Sequence, residues 1–504
     1  MMGLCLALCL SLYLDLYLGC HPALAASAVE AAPSGDSLLV IGVGRDLFDG
    51  PDSRTYVHGS TNVWEALTYL GPNLDAQPWL AESWRSQDKG RTWTFRLRSG
   101  VRFHDGSLLT NKEAVASIKR MIGRPKYDPT GIYRGVVAVE AKGERELVFR
   151  LARPSPAFAN LVAYFASPII HPTCFDQDGR LNSLIGTGPF KLKKIKRGQS
   201  IELEAFPAYW GSAPHYKAVK FLFIPDAQTR LMALMAGEVD AVADVGGILP
   251  EQAADLEHAP QITLLRQPVA TTHYLFFNCR RAPFKNREAR LWLASILDRK
   301  QLVQALAKGA GTVAKGPYSE LASNWTFGLL HPSTGRKPSP GKGPLIIILH
   351  GGTIQRWPYL EIAQVLQERL AQNGLRASIQ VKEAGAYYEA LQNGSFDLAI
   401  QPNTLMTGDP DFFYAYYIES KGPRDFGCGN QEMDRLIQGA RHEMNPEQRR
   451  AQYRELAVRF NQQLPLLPLY HDVSLYAHGD KVVNFVMDQN FRPLLNLARP
   501  VESQ

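Results

Sequence analysis

The sequence predicts a mixed α/β protein with more than one domain. Its 504 residues exceed a typical domain several times over, and 45% hydrophobic with 20% charged residues is an ordinary globular composition. From residue 343 onward, short apolar runs alternate with amphipathic stretches, which favours a mostly parallel sheet covered by helices. The net charge of +7 is spread along the chain without a basic block, so nucleic acid is not a predicted partner.

Residues 1–28 are predicted to form an export signal. A Leu-rich stretch at 3–19 is followed by the small residues of "HPALAASA", which is the usual order in a secretory signal. Cleavage after Ala25 or Ala28 and lipidation of Cys20 in "YLGC" are alternatives that both stay open. A retained membrane anchor is the third, although the run is only about as long as the shortest bilayer span of ~17 residues.

The first structural elements follow this segment. "SLLVIGV" at 37–43 predicts a buried strand, and Val63, Leu67 and Leu70 lie at helical spacing, which predicts a helix. "WTFRLRSGV" then alternates apolar and polar residues with period two, as a half-buried strand does.

A turn and a helix complete this first unit. In "RFHDGSLLTNKEAVASIKRM", Asp105-Gly106 predicts a turn. Thr110 precedes Glu113 by three positions, the spacing of a capping box at the start of a helix.

The remaining elements follow from the same signals. Strands are predicted in "ELVFRL" and in "PFKLKKIK" and "SIELEAF", the last two joined by a "KRGQ" turn. "AVKFLFIPDAQTRLMALMAGEVDAVADV" predicts strand, helix and strand. The later run of strand "PLIIILH", helix "YLEIAQVLQERLAQNG", strand "RASIQV", helix "AYYEALQNG" and strand "FDLAIQPN" is typical of repeated βα units.

Few residues point to catalysis. His104-Asp105 could be half of a metal site of a hydrolase, but such a site needs further ligands, and the histidines show no HExxH or HxxxH spacing. The cysteines beyond the export signal, Cys174, Cys279 and Cys428, are scattered and predict neither a disulfide framework nor a metal site.

A binding site is predicted where "FDLAIQPN" ends. The sequence "GDPD" at 408–411 follows that strand, and in open α/β sheets ligands bind at the carboxyl ends of the strands. A solute-binding loop is favoured there over a metal-bound pair of carboxylates.

Several sequence blocks resemble one family, the extracellular solute-binding proteins of family 5, which serve peptide and nickel ABC importers. The resemblance is carried by "PWLAESWRSQDKGRTWTFRLRSGVRFHDGSLLTNKEAVASIKRM", "IGTGPFKL", "FPAYWGSAPHYKAVKFLFIPDAQTRLMALMAGEVDAV", "NREARLWLASILDRKQLVQAL" and "GSFDLAI" with "GDPDFF". It implies a periplasmic-binding-protein-like type II fold, with two lobes, a hinge and an extra α+β domain inserted in the N-terminal half. The predicted bounds are 37–65, 185–275 and 476–504 for lobe I, 66–184 for the extra domain and 276–475 for lobe II.

The resemblance leaves the solute open between a peptide and a metal chelate. Peptide-binding members carry a Trp and an Asp just before the Asp-Pro turn, where this chain has "QPNTLMT", and nickel-type members carry a His after the turn, where this chain has none before His442. We therefore expect ligand contacts from a set of residues chosen by position: Asp409, Asp411, Thr404, Met406, Tyr387 and Arg45.

The resemblance also implies the partners and the location. The expected partners are an ABC permease and its ATPase, and the chain is expected to be a monomer in the periplasm or outside the cell. No enzyme activity, cofactor or resident metal is predicted. The alternatives are a metal-dependent hydrolase using His104 and Asp105, a receptor specific for nickel or a metallophore, and a receptor that signals instead of transporting.

Overall fold

The computed structural model describes residues 37–45, 62–128, 131–163, 167–328, 335–339, 341 and 343–501. The predicted export signal, including Cys20, lies outside the described residues. Among the described helices, none is long and apolar enough to cross a membrane.

Strands and helices alternate through the described chain. The first part holds β1 (Leu38–Val43), β2 (Thr68–Leu70), β3 (Ala76–Pro78), β4 (Ala81–Gln87), β5 (Thr92–Leu97), α1 (Asn111–Lys119), β6 (Val136–Lys142), β7 (Glu146–Leu151) and α2 (Phe158–Leu161). The middle holds β8 (Phe190–Lys196), β9 (Ser200–Ala205), β10 (Ala218–Phe223), α3 (Ala227–Met235), β11 (Ala241–Val242), α4 (Ala253–Glu257), β12 (Ile262–Phe277), α5 (Arg287–Ile296), α6 (Arg299–Leu302) and β13 (Gly311–Val313). The last part holds β14 (Leu345–His350), α7 (Gly351–Ile354), α8 (Tyr359–Gln372), β15 (Ala377–Lys382), α9 (Ala384–Asn393), β16 (Leu398–Thr404), α10 (Pro410–Tyr417), α11 (Gln431–His442), α12 (Pro446–Gln463), β17 (Leu466–Gly479), β18 (Val482–Val483) and β19 (Arg499–Pro500).

Eleven of the described strands form one mixed sheet. Its order is β15-β14-β16-β12-β17-β11-β1-β10-β9-β8, with β13 paired to β17. We name the half from β11 to β8 lobe I and the half from β15 to β16 lobe II. Strand β1 runs parallel to β10 and β11 in lobe I, and β14 runs parallel to β15 and β16 in lobe II. The predicted βα repeats of lobe II are confirmed.

Two long antiparallel strands, β12 and β17, belong to both lobes. Residues up to Pro268 of β12 pair with β17 from Val473 onward, and after a register shift Thr272 pairs with His471 on one side and Asn403 of β16 on the other. This register shift, which we call the bulge, marks the place where both strands cross between the lobes. The predicted lobe boundaries at 275/276 and 475/476 fall inside these two strands.

A second sheet, β4-β5-β7-β6, is antiparallel and lies within the sequence predicted as the extra domain. Its core is a separate buried cluster that includes Phe95, Phe149 and Ile118. Helix α1 begins at the predicted capping box, since the Thr110 side chain accepts from the helix backbone and Glu113 reaches back to the amide of Thr110 at 3.0 Å. This strand, turn and helix are confirmed.

The helix predicted over 63–70 is wrong. The segment is extended and ends in β2, and its carbonyls bond outside the segment: Val63 accepts from the Gly188 amide at 3.1 Å and Leu67 from the Ala81 amide at 2.8 Å. Val63 packs into the main core and Leu67 into the second core. Burial on two different sides produced the spacing that resembles a helical face.

Candidate functional site

The carboxyl ends of the parallel strands from both lobes meet β12 and β17, which we call the hinge strands. In lobe I, Gly44 and Arg45 follow β1 and Asp244 follows β11, while in lobe II the loop around Arg356 comes after β14 and α7. Open α/β sheets bind ligands at such strand ends. The candidate site is therefore the region where these ends face each other.

Lobe I contributes an ion pair to this region. The Asp244 carboxylate accepts from the Gly44 amide at 3.0 Å, the Val245 amide at 2.7 Å and Nε of Arg45 at 3.1 Å. Burial alone would raise the pKa of Asp244, but the charges of Arg45 and Arg356 outweigh it and hold that pKa below its ordinary value. Arg45, one of the predicted ligand contacts, is thus paired with Asp244.

Arg356 brings lobe II against lobe I. Gly246 adopts a φ of +64°, and a Cβ built on it would lie 2.7 Å from Cβ and 3.1 Å from Cα of Arg356. A side chain at Gly246 would collide with the backbone of the opposite lobe. The two lobes are therefore in contact here, and glycine makes that contact possible.

A small pocket, partly open to solvent, lies beside this contact, with about 320 Å³ between its walls when the open solvent is counted. We call it the inter-lobe cavity. It is lined by residues of both lobes and of the hinge strands: Gly246, Ile248, Pro250, Ala307, Ala310, Arg356, Trp357, Pro358, Tyr470, Asp472, Val473, Ser474 and Leu475. Its lining combines aromatic and aliphatic side chains with a few polar groups, the composition of many small-molecule sites.

The hinge strands place polar groups at the cavity. The His273 ring stacks on Tyr470 with centroids 4.0 Å apart, and its Nδ1 lies 2.6 Å from the Tyr359 hydroxyl. Nε2 of His273 is 3.6 Å from Oδ1 of Asp472, and Oδ2 of Asp472 accepts from the Ser474 hydroxyl at 3.2 Å. Nε2 of His273 and the hydroxyl of Tyr470 are buried without a hydrogen-bond partner among the described residues.

The predicted "GDPD" loop is anchored instead by arginines. Asp409 caps α10 by accepting from the Asp411 amide at 2.9 Å, and its carboxylate accepts from Arg449 at 2.7 and 2.8 Å. Asp411 accepts from Nε of Arg441 at 2.9 Å, and Arg441 also donates to Glu419 at 2.6 Å. Both carboxylates already have cationic partners, and neither lines the inter-lobe cavity.

The other predicted contacts are also engaged within the fold. The Thr404 hydroxyl bonds that of Thr271 at 2.6 Å, and the fully buried Tyr387 donates to the Ile400 carbonyl at 3.4 Å. Met406 packs against the core of the second sheet. A Cβ on Gly408 would lie 1.8 Å from the Leu74 carbonyl oxygen, so this loop is held tightly against the N-terminal half. A ligand contact by any of the six residues stays a prediction.

The sequence reasoning missed Arg356, Trp357 and Asp472. One signal was available, because His471-Asp472 is a polar pair inside the largely apolar "LLPLYHDVSLYAHG" of β17. Arg356 follows β14 by only a few positions and so lies at the predicted ligand edge of the sheet.

The ring of His104 is held by hydrogen bonds to the backbone, as is typical of a structural residue. In one neutral tautomer, Nε2 donates to the Gly188 carbonyl at 3.0 Å and Nδ1 accepts from the Gly186 amide at 3.3 Å. Burial lowers the pKa of His104 to about 4, so the ring is neutral at pH 7. Asp105 accepts from the Ser107 amide at 3.0 Å. No group of three or more His, Cys, Asp or Glu residues that could hold a metal occurs among the described residues.

One disulfide corrects the prediction that the scattered cysteines form no disulfide framework. Cys279, just beyond β12, is bonded to Cys428 in the loop before α11, with Cα atoms 5.2 Å apart. Sequence spacing could not reveal the pair because 149 positions separate the two residues. Cys174 is buried and not disulfide-bonded. A disulfide is typical of an oxidising compartment, as expected for an exported chain.

Comparison with known proteins identifies the family. The model described as "Bacterial extracellular solute-binding proteins, family 5 Middle" matches residues 75–424. The chain belongs to this family, and the two-lobed α/β fold predicted from the resemblance is confirmed by solved structures. It is similar to NikA from Brucella suis in complex with Fe(III)-EDTA, with a TM-score of 0.81 and 21% identity over 92% of this chain and 100% of that one. It is also similar to the dipeptide-binding protein from Pseudoalteromonas sp. SM9913 in complex with Met-Leu, with a TM-score of 0.77 and 18% identity over 92% and 100%.

Two proteins of similar sequence support the same family assignment. The probable D,D-dipeptide-binding periplasmic protein DdpA of Escherichia coli K12 is 24% identical over 84% of this chain and 85% of its own length. The oligopeptide-binding protein AppA of Bacillus subtilis is 25% identical over 87% and 86%. Both relatives are named as peptide-binding proteins, and the prediction that this chain is a solute-binding protein is confirmed at that level.

Proposed function

We propose that the protein is the solute receptor of an ABC importer and that its solute is a short peptide. It captures the peptide in the inter-lobe cavity and delivers it to a permease with an associated ATPase. The receptor acts as a monomer outside the inner membrane, either released by cleavage within residues 1–28 or anchored by lipid on Cys20. It binds its solute without reacting with it.

The observation that carries this proposal is a cation in a cavity that is lined by residues of both lobes. Arg356 lines the cavity beside Trp357 and contacts Gly246 of the other lobe. A guanidinium is the side chain best suited to a carboxylate, which it can bind through two parallel hydrogen bonds. A peptide supplies a terminal carboxylate and apolar side chains for Trp357 and Tyr470. The peptide names of several relatives point the same way.

The test compares peptides with a chelate. The full chain is titrated calorimetrically with an equimolar dipeptide library, with nickel-histidine complex and with nickel alone. We expect heat and a thermal shift with peptides only, and a ligand at a hundred times its Kd should stabilise the protein by about 2.7 kcal/mol. Binding of the chelate without any response to peptides would contradict the proposal.

A variant pair locates the binding. Arg356→Ala should remove the peptide response, since the carboxylate then loses its cation. The matched control is Arg424→Ala, because Arg424 stacks on the exposed Tyr388 and is not among the cavity residues. Equal losses in both variants would contradict a site at Arg356.

A further inference from the structure

The extra domain, which contains the second sheet, is joined by the chain to lobe I. Its strands β4 to β7 lie between β1 and β8, which are both strands of lobe I, and lobe II is reached only later, through β12. The two connecting segments are in close contact, since a Cβ built on Gly186 would lie 2.1 Å from the carbonyl oxygen of Val63. The Ile169 amide also donates to the Glu65 carbonyl at 2.8 Å. A contact between the extra domain and lobe II is therefore made across space and not along the chain.

Asn160 makes one such contact. It lies on α2, and its side-chain amide donates to the Leu74 carbonyl and to the Thr407 carbonyl, both at 2.9 Å. Leu74 is in the turn between β2 and β3, whereas Thr407 is in the lobe II loop between β16 and α10. In the same loop, Met406 packs against the core of the second sheet, and Gly408 approaches the backbone of Leu74. One amide group thus ties the loop at 406–408 to the N-terminal half.

His442 and Met444 make a second contact. Nδ1 of His442, the last residue of α11, donates to the Pro154 carbonyl at 2.7 Å. Met444 lies in the turn before α12, and a Cβ built on Gly90 would be 2.2 Å from its Sδ. Gly90 and Pro154 are neighbours beside the second sheet, because the amide of Ser155 donates to the Gly90 carbonyl at 3.3 Å. The turn between α11 and α12 of lobe II therefore rests on the extra domain.

Both contacts are separate from the inter-lobe cavity. Neither Asn160 nor His442 is among the residues that line it. The two lobes are linked by the hinge strands, and rotation of lobe II about the bulge would draw its loops away from the extra domain. Hydrogen bonds that exist only when the loops are docked add to the free energy of the closed arrangement, whatever solute is bound.

We infer that Asn160 and His442 form a clasp between the extra domain and lobe II, which stabilises the closed receptor with or without solute. The clasp sets how tightly a solute is held and has no part in which solute is chosen. A ligand that binds only the closed form has an apparent Kd equal to its intrinsic Kd divided by the closed fraction. The inference rests on the proposed receptor function and adds the part of the fold that controls closure.

The test compares Asn160→Ala, His442→Ala and the double variant with the wild type. Small-angle X-ray scattering of the full chain without added solute should give a larger radius of gyration for each variant, and the largest for the double variant. An equimolar dipeptide library is then offered, retained peptides are identified by native mass spectrometry, and their affinities are measured by calorimetry. Each single variant should bind them about five-fold more weakly, the effect of one neutral hydrogen bond, and the double variant about twenty-five-fold. The order of preference among the peptides should not change.

Two matched controls remove the same kinds of hydrogen bond within a single helix. The side-chain amide of Asn373 donates to the Arg369 carbonyl of α8 at 2.9 Å, and Nδ1 of His258 donates to the Ala254 carbonyl of α4 at 2.6 Å. Asn373→Ala and His258→Ala should therefore keep the scattering profile and the peptide affinities of the wild type.

The outcomes separate the clasp from the peptide function. If the double variant, shown by circular dichroism to be folded, keeps either the scattering profile or the affinities of the wild type, the clasp is refuted. A changed order of preference among peptides also refutes it, because the two residues would then contact the solute. If the wild type retains no peptide, the peptide function fails, and scattering of the empty chain still decides whether the clasp exists.

Discussion

Removal of the Cys279–Cys428 disulfide is expected to destabilise lobe II strongly. The bond joins residues 149 positions apart, Cys279 just after β12 and Cys428 in the loop before α11. In the chain-entropy treatment, opening a loop of this length favours the unfolded state by about 5 kcal/mol at 25 °C. For a unit of about 150–250 residues, this corresponds to a fall of about 10–20 °C in the melting temperature.

The assay is thermal and urea unfolding of the double variant Cys279→Ala/Cys428→Ala, with and without a reductant. The wild type should lose stability on reduction, and the double variant should already be at the reduced level and respond no further. Cys174→Ala is the control, because Cys174 is buried but forms no disulfide. It should cost only the small amount of a lost sulfur and leave the response to reductant intact.

Two results would refute this reasoning. Peptide mapping of the unreduced exported protein without a Cys279–Cys428 linked fragment would show that the bond does not form. A double variant that melts within a degree of the wild type, with the bond confirmed in the wild type, would show that the unfolded chain is not constrained by it. Peptide binding should survive at temperatures well below the melting point, because neither cysteine lines the inter-lobe cavity.

Four further predictions concern buried charges and the lobe contact. Burial raises the pKa of Glu65 to about 7, above its unfolded value of 4.5, so the free energy of unfolding of the wild type should fall as pH rises from 4.5 to 7. In urea unfolding at pH 4.5 and 8, Glu65→Gln should show a difference between the two pH values that is smaller by about 3 kcal/mol. Burial lowers the pKa of His104 to about 4, below its ordinary value of 6.5, so the stability that the neutral ring contributes is lost as pH falls from 6.5 to 4. His104→Gln should reduce the acid sensitivity of the free energy of unfolding by about 3 kcal/mol and leave peptide affinity unchanged. Asp409→Ala leaves the charge of Arg449 buried and unpaired and should cost about 3–5 kcal/mol in thermal unfolding, and a cost under 1 kcal/mol would contradict the buried pair. Gly246→Val should weaken solute binding at least ten-fold in calorimetry, because its side chain would meet the opposite lobe, and unchanged affinity would show that the lobes do not close at this point.

Much of the local structure was predictable from the sequence. The capping box of Thr110 and Glu113 fixed the start of α1, because both partners lie within one helical turn. The βα alternation of lobe II was equally readable, since period-two and period-3.6 patterns depend on neighbouring residues alone. The helix predicted over 63–70 failed because those residues are buried against two separate cores.

The candidate site was predictable only in part. The sequence predicted a site at the carboxyl ends of the strands and selected Asp409 and Asp411, whose carboxylates are bonded by Arg449 and Arg441. Those arginines lie on α11 and α12, and no local sequence pattern predicts that side chains from these later helices form ion pairs with the loop.

The sequence by itself determined the family, the α/β class and the order of most elements, because these are encoded in short-range patterns. Only the tertiary structure decided which polar residues line one cavity. Arg356 and Asp472 become neighbours of one cavity because β12 and β17 cross between the lobes at the bulge, and Cys279 meets Cys428 for the same kind of reason. Such contacts depend on how distant segments pack, and the separation of two residues along the chain does not predict that packing.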